Sequence, residues 1–138
     1  IAWAPYGRVG STFSDDPFSD DQVWVSYSAG LAKLSATCYV ESRVEANAIA
    51  YRTDSVAAAS VAIAAGLGLG FLPCMLGDIT PGLVRVGPPV AELNDELWLL
   101  THQDIRKSWR VQAFMTFCAA AVADQKRLIE GQLALPVA

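Results

Sequence analysis

Apolar and polar positions alternate in blocks along the chain. Ile1-Ala2-Trp3-Ala4 is an opening apolar strand, and Arg8 to Gln22 is a polar loop carrying Ser11, Ser14, Asp15, Asp16, Ser19, Asp20 and Asp21. Val23-Trp24-Val25-Ser26-Tyr27 is rich in β-branched and aromatic residues, which predicts a strand. Gly30 to about Glu41 then predicts a helix, with Leu31, Leu34, Cys38 and Val40 on its apolar side and Ser28 as its N-cap. Asn47 to Tyr51 predicts the next strand.

The strongest local signal follows. Thr53, Asp54 and Ser55 are all favourable N-cap types, and they precede a run of small helix formers that closes at Gly66 in the C′ position. A helix so uniformly small and apolar must pack closely on a sheet. Leu67 to Leu72 reads as a short strand stopped by Pro73, Cys74 to Gly82 as a turn-rich stretch, and Leu83 to Val86 as a strand. After a loop from Gly87 to Asp95 comes a predicted strand at Glu96 to His102. Ser108 is placed to cap a last helix, Trp109 to about Ile129, on which Val111, Phe114, Met115, Cys118 and Val122 recur at helical spacing. Gln132 to Ala138, with Pro136, reads as a loose tail. The alternation of strands and helices points to α/β layers around a mostly parallel sheet.

Composition narrows the class. A chain of 138 residues, 53% hydrophobic and 17% charged, is one domain's worth and excludes disordered, collagen-like and coiled-coil classes. Its net charge of −4, with basic residues scattered, argues against direct contact with nucleic acid. The longest apolar stretch, Val56 to Phe71, is interrupted by Ser60 and falls short of the ~20 residues of a membrane span. Cys38, Cys74 and Cys118 have neither CxxC spacing nor a histidine cluster, and read as buried, reduced thiols of a cytoplasmic protein. The sequence begins at Ile1 with no signal-peptide pattern, as a fragment entering mid-fold would.

The candidate chemistry is sparse. Gly66-Leu67-Gly68-Leu69-Gly70 closes a helix and opens a strand, the reverse of a dinucleotide loop, so it reads as a crowded helix-to-strand turn. His102 is the single histidine, and no GxSxG elbow accompanies it. The aspartates of the first loop show no spacing that fixes a general acid and base, and read as a solvated loop. The two strand-to-helix junctions, Tyr27-Ser28-Ala29-Gly30 and Thr53-Asp54-Ser55, lie at the carboxyl edge of the predicted sheet, where ligands of open α/β sheets collect. Hydroxyls there either cap a helix or bind a small carboxylate, and the residues alone leave both uses open.

Arg52-Thr53-Asp54-Ser55-Val56, Ala64 to Pro73, Pro81-Gly82-Leu83-Val84-Arg85-Val86, Glu96 to Arg106 and Arg110-Val111-Gln112-Ala113-Phe114 form an ordered series within Trp3 to Ala123. The series resembles the C-terminal effector-binding domain of LysR-type transcriptional regulators. The resemblance implies an α/β fold like the type 2 periplasmic binding proteins, with an effector held between two lobes. It assigns residues 1–96 to lobe two, 97–129 to a strand and helix returning from lobe one, and 130–138 to a tail. The helix-turn-helix, the linker helix and the first half of lobe one have no counterpart in this chain.

By the same resemblance, Tyr27, Ser28, Ala29, Gly30, Thr53, Asp54 and Ser55 contact a small anionic effector. The implied protein is a non-enzymatic cytoplasmic bacterial regulator with no cofactor or metal and no membrane partner. It would touch DNA only through its missing N-terminal domain, and it would self-associate because Trp98, Leu99, Val111, Phe114 and Cys118 lack their neighbours. The rival readings are a solute-binding protein of the same architecture and a small α/β enzyme using His102.

Overall fold

A computed structural model describes residues 1–133. Its sheet is organised by the first strand, β1 (Trp3–Arg8), which is hydrogen-bonded on one side to β4 (Gly70–Pro73) and on the other to β5 (Leu83–Arg85), antiparallel to both. β2 (Trp24–Tyr27) and β3 (Ile49–Thr53) form a parallel pair. A parallel bridge joins the two groups: Val25 N–H donates to Leu69 O at 2.6 Å and Leu69 N–H to Val23 O at 2.7 Å. The spatial order is therefore β3-β2-β4-β1-β5. Four strands share one direction and β1 opposes them, so the expected mostly parallel sheet is present with its exception one strand in from the β5 edge.

β1 runs four residues beyond the predicted Ile1–Ala4 strand, through Pro5. Proline is rare inside sheets because it donates no ladder bond. Here Pro5 pairs with Phe71 and accepts from Val86 N–H at 2.9 Å where β5 has ended, so its missing donor falls at the margin of that ladder.

The helix α2 (Val56–Ala64) packs over the sheet by way of fully buried Ile63, with Ala59, Ser60 and Ala62 also buried. Burying a side chain such as Ile63 contributes about 1.5–3 kcal/mol. The helix ends as predicted, with Gly66 at φ 87° accommodating the left-handed turn. At Gly68 a Cβ would lie 2.5 Å from the Val23 carbonyl oxygen, so the glycine cluster is explained by crowding against β2. On another part of the core, Phe18 from the first loop stacks on Trp24 with ring centroids 4.9 Å apart, and Tyr39 meets Phe71 edge-on at 5.5 Å.

A buried polar tie, invisible in the sequence, links distant segments. The short α3 (Cys74–Gly77) ends beside Asp78, whose fully buried carboxylate accepts from Tyr6 Oη at 2.6 Å and from Arg85 Nε and Nη2 at 2.9 and 2.5 Å. Arg85 Nη1 also donates to Gly131 O at 2.9 Å, which holds residue 131 against the sheet. Of the predicted loose tail, Gln132 to Ala138, residues 134–138 lie outside the described residues.

Several expectations are corrected. The Gly30–Glu41 helix starts later, as α1 (Ser35–Glu41), because the chain first makes a 3-10 turn at Ala29–Leu31, with Ala29 at φ 48°. Leu34 rather than Ser28 precedes α1, and Ser28 makes no capping bond. Cys38 is exposed, since the buried face of α1 is Ala36, Thr37 and Val40. Glu96 to His102 forms no strand: no strand lies alongside it among the described residues, and its backbone stays open to solvent. The last helix is broken at Gln125 into α4 (Trp109–Asp124) and α5 (Lys126–Ile129), and α4 has no buried residue.

Tyr6 and Tyr27 give the fold a pH signature. Burial, and next the hydrogen bond to Asp78, push the Tyr6 hydroxyl far above its ordinary range, and burial alone does the same for Tyr27. An unfolded tyrosine ionises near pH 10, so above that pH the unfolded chain holds fewer protons than the folded one. Stability present below about pH 10 is then lost as pH rises, by about 1.4 kcal/mol per pH unit for each tyrosine. Urea denaturation at about pH 9 and about pH 11 should show this loss, and Tyr6→Phe and Tyr27→Phe should each make it shallower.

Candidate functional site

β2 and β3 end side by side at the carboxyl edge of the sheet. Tyr27 pairs with Thr53, and Ser28 N–H donates to Thr53 O at 3.0 Å, which joins the two predicted junctions into one surface. Ser55, extended at φ −132°, caps α2: its Oγ accepts from Ala58 N–H at 3.2 Å, and its own N–H donates to Thr53 Oγ1 at 3.2 Å. Each hydroxyl acts here as an acceptor and keeps its proton to donate. Capping and ligand binding therefore do not exclude each other.

Beyond these bonds the N–H groups of Val56 and Ala57 have no partner among the described residues. They occupy the first turn of a nine-residue helix, where the dipole favours an anion by about 0.3–1 kcal/mol, more if partly buried. The half-buried Ser28 has no hydrogen bond to its Oγ, while Ala29 and Gly30 are exposed, with open space around Gly30. Asp54 is exposed and brings a negative charge to the same lip. Tyr27 is placed differently. Its ring is buried and its hydroxyl donates to Phe71 O at 2.7 Å, so only its backbone reaches the edge.

The sequence reading missed the space beside this lip. An open groove of about 710 Å³ begins at Val56 and Ala57, continues along Pro73, Met75 and Leu76, and is closed on its far side by Ala121, Val122, Leu128 and Ile129. Gln125 is its one polar side chain. The volume lies within the ~300–1,000 Å³ of small-molecule sites. The available signal was the apolar pair Met75-Leu76 in an otherwise turn-rich stretch, but its facing wall is about fifty residues away in sequence.

Other chemistry-bearing residues stay apart. His102 is exposed, its Nδ1 accepts from the neighbouring Asp104 N–H at 3.3 Å, and it is not among the residues that line the groove. In the aspartate-rich loop, Asp16 accepts from Phe18 N–H at 2.9 Å and Asp21 from Ser19 Oγ at 2.6 Å, so these carboxylates shape local turns. Burial pushes the Cys74 thiol up and keeps it protonated. Among the described residues no group of three His, Cys, Asp or Glu side chains is placed to hold a metal, and no helix is long and apolar enough to cross a membrane.

The two serines of the site separate by their bonds. Ser55→Ala should lower stability by about 1 kcal/mol through loss of the cap. Ser28→Ala should stay within about 0.5 kcal/mol of the parent, since Ser28 Oγ bonds nothing in the fold. Paired denaturant titrations check both.

A comparison with curated protein sequences finds no match. The LysR substrate binding domain family, in contrast, matches residues 21–123, a span that contains both strand-to-helix junctions, the glycine turn, β4 and most of α4. With the carboxyl-edge lip and the single opposed strand in a type 2 periplasmic-binding-protein-like fold, this match shows that the chain belongs to the LysR substrate binding domain family and is the effector-sensing part of a LysR-type regulator.

Proposed function

We propose that the chain recognises a small anionic metabolite whose charged group sits at the start of α2 and whose apolar portion lies in the adjoining groove. One observation carries the reading: the unpaired N–H groups of Val56 and Ala57 belong to the same two residues that open the apolar groove. Donors for the anion come from those two amides and from the hydroxyls of Thr53, Ser55 and Ser28. Ala29 and Gly30 leave the approach open, and Tyr27 contributes through its backbone. Residues 1–96 act as lobe two, and residues 97–129 return from lobe one to form the far wall. The role is regulatory, and DNA is contacted only by an N-terminal domain of the intact protein.

Titration of small carboxylates, followed by thermal denaturation, tests the site. A bound carboxylate at about 100 times its Kd adds about 2.7 kcal/mol of stability. Thr53→Val should reduce the response, and Asp54→Asn should tighten binding several-fold by removing a like charge. A response unchanged in Thr53→Val would place the anion elsewhere.

Self-association belongs to the same proposal. Trp98, Trp109, Phe114 and Phe117 are each 63–72% exposed, and Leu97, Leu99, Leu100 and Ile105 are exposed beside them in sequence, whereas Val111 and Cys118 are half-buried. With roughly 150–250 Å² per aromatic side chain, the four rings alone present on the order of 500 Å². That already matches the largest apolar patch of an ordinary monomer. Sedimentation should show a dimer or larger species that Phe114→Ser combined with Phe117→Ser shifts toward monomer. A parent chain that stays monomeric at high concentration counts against the idea.

A further inference from the structure

A second cavity lies at the opposite edge of the sheet. Because β1 opposes its neighbours, its last residue, Arg8, reaches the edge where β2 and β4 begin. There a cavity of about 230 Å³ is lined by Arg8, Ser11, Thr12 and Gln22 on one side and by the 66–69 turn on the other.

Several of its polar groups can donate and have no partner among the described residues. Arg8 is in no ion pair and its guanidinium makes no hydrogen bond among the described residues, although the side chain lies over Gly66, 3.3 Å from where a Cβ would stand. The N–H of Gly68 likewise has no acceptor, while its neighbours Leu67 and Leu69 donate to Ala62 O and Val23 O. The hydroxyls of Ser11 and Thr12 and the amide of Gln22 add three more donors. No carboxylate lines the cavity, and two of the aspartates of the same loop are engaged in its own turns.

We propose that this cavity binds a small oxyanion, a carboxylate or a phosphate, through the Arg8 guanidinium, the Gly68 N–H and the Ser11 and Thr12 hydroxyls. An oxyanion accepts at every oxygen, which suits a wall of donors carrying a single positive charge. The space is several times the ~30 Å³ share of a water molecule, enough for one such ion and part of its hydration. The site is separate from the lip at Thr53 and does not rest on it.

Titrating ¹⁵N-labelled chain with inorganic phosphate, and separately with acetate, against chloride at constant ionic strength tests this. The expected result is a saturable shift of the Gly68 amide with either anion, and the one binding more tightly identifies the source. Arg8→Met, a change at an exposed position, should weaken binding roughly tenfold or more, the loss of a charge-assisted bond. Thr12→Val should weaken it several-fold. A Gly68 shift that fails to saturate with both anions, or that persists unchanged in Arg8→Met, would overturn the assignment.

Discussion

The rest of the structure depends on the placement of β1 against the grain of the sheet. A strand flanked by hydrogen bonds on both sides is the most constrained element available, and β1 has β4 on one side and β5 on the other. Opposing its neighbours puts its beginning at the edge where β2, β3 and β4 finish and its end at the edge where they start. The candidate effector lip therefore lies at the same edge of the sheet as Ile1, Ala2 and Trp3, and the second cavity forms beside Arg8. One topological choice sets the chemistry of both edges.

The beginning of β1 also ties down two later stretches of the chain, around Asp95 and around Ile129. The Ile1 nitrogen donates to Asp95 O, Asp95 N–H returns a bond to Ile1 O at 2.9 Å, and Trp3 Nε1 donates to Asp95 Oδ2 at 2.9 Å. Ala2 N–H donates to Ile129 O at 2.9 Å. A few residues away, the Asp78–Arg85 pair holds the Gly131 carbonyl. Removing one partner of such a buried pair typically costs 3–5 kcal/mol, because the other charge is left without compensation. This ion pair, whose carboxylate is fully buried, thus helps to fix how α5 is seated on the sheet.

The local elements were legible in the sequence because local rules decide them. A cap among Thr53, Asp54 and Ser55, Gly66 at the helix end and the reversed order of the glycine turn follow from spacing alone, and the structure picks Ser55 as the cap. What the sequence hid is long-range. Pro5 masked the length of β1, since only the early end of β5 makes a proline tolerable there. Glu96 to His102 has a strand's composition, but a ladder needs a neighbour, and the described residues supply none. Ser28 precedes an apolar helical pattern, yet Ala29 turns the chain at φ 48° and delays α1. The groove joins Met75 and Leu76 to a wall that starts only at Ala121, and Tyr6 meets Asp78 from 72 residues away, both beyond the reach of periodicity.

Under the proposed function the groove would matter more to regulation than the helix start. A ligand shifts an equilibrium between two arrangements only by its difference in affinity for them. An anion held by the Val56 and Ala57 amides alone touches one rigid unit, binds both arrangements equally and shifts nothing, however tightly it binds. The groove has walls from two separate stretches of chain: Pro73, Met75 and Leu76 on one side, Val122, Leu128 and Ile129 on the other. A ligand that fills it loses contacts whenever those walls move apart. On the proposed reading the charged group would position the effector, and the apolar part would supply the differential affinity that a sensor requires.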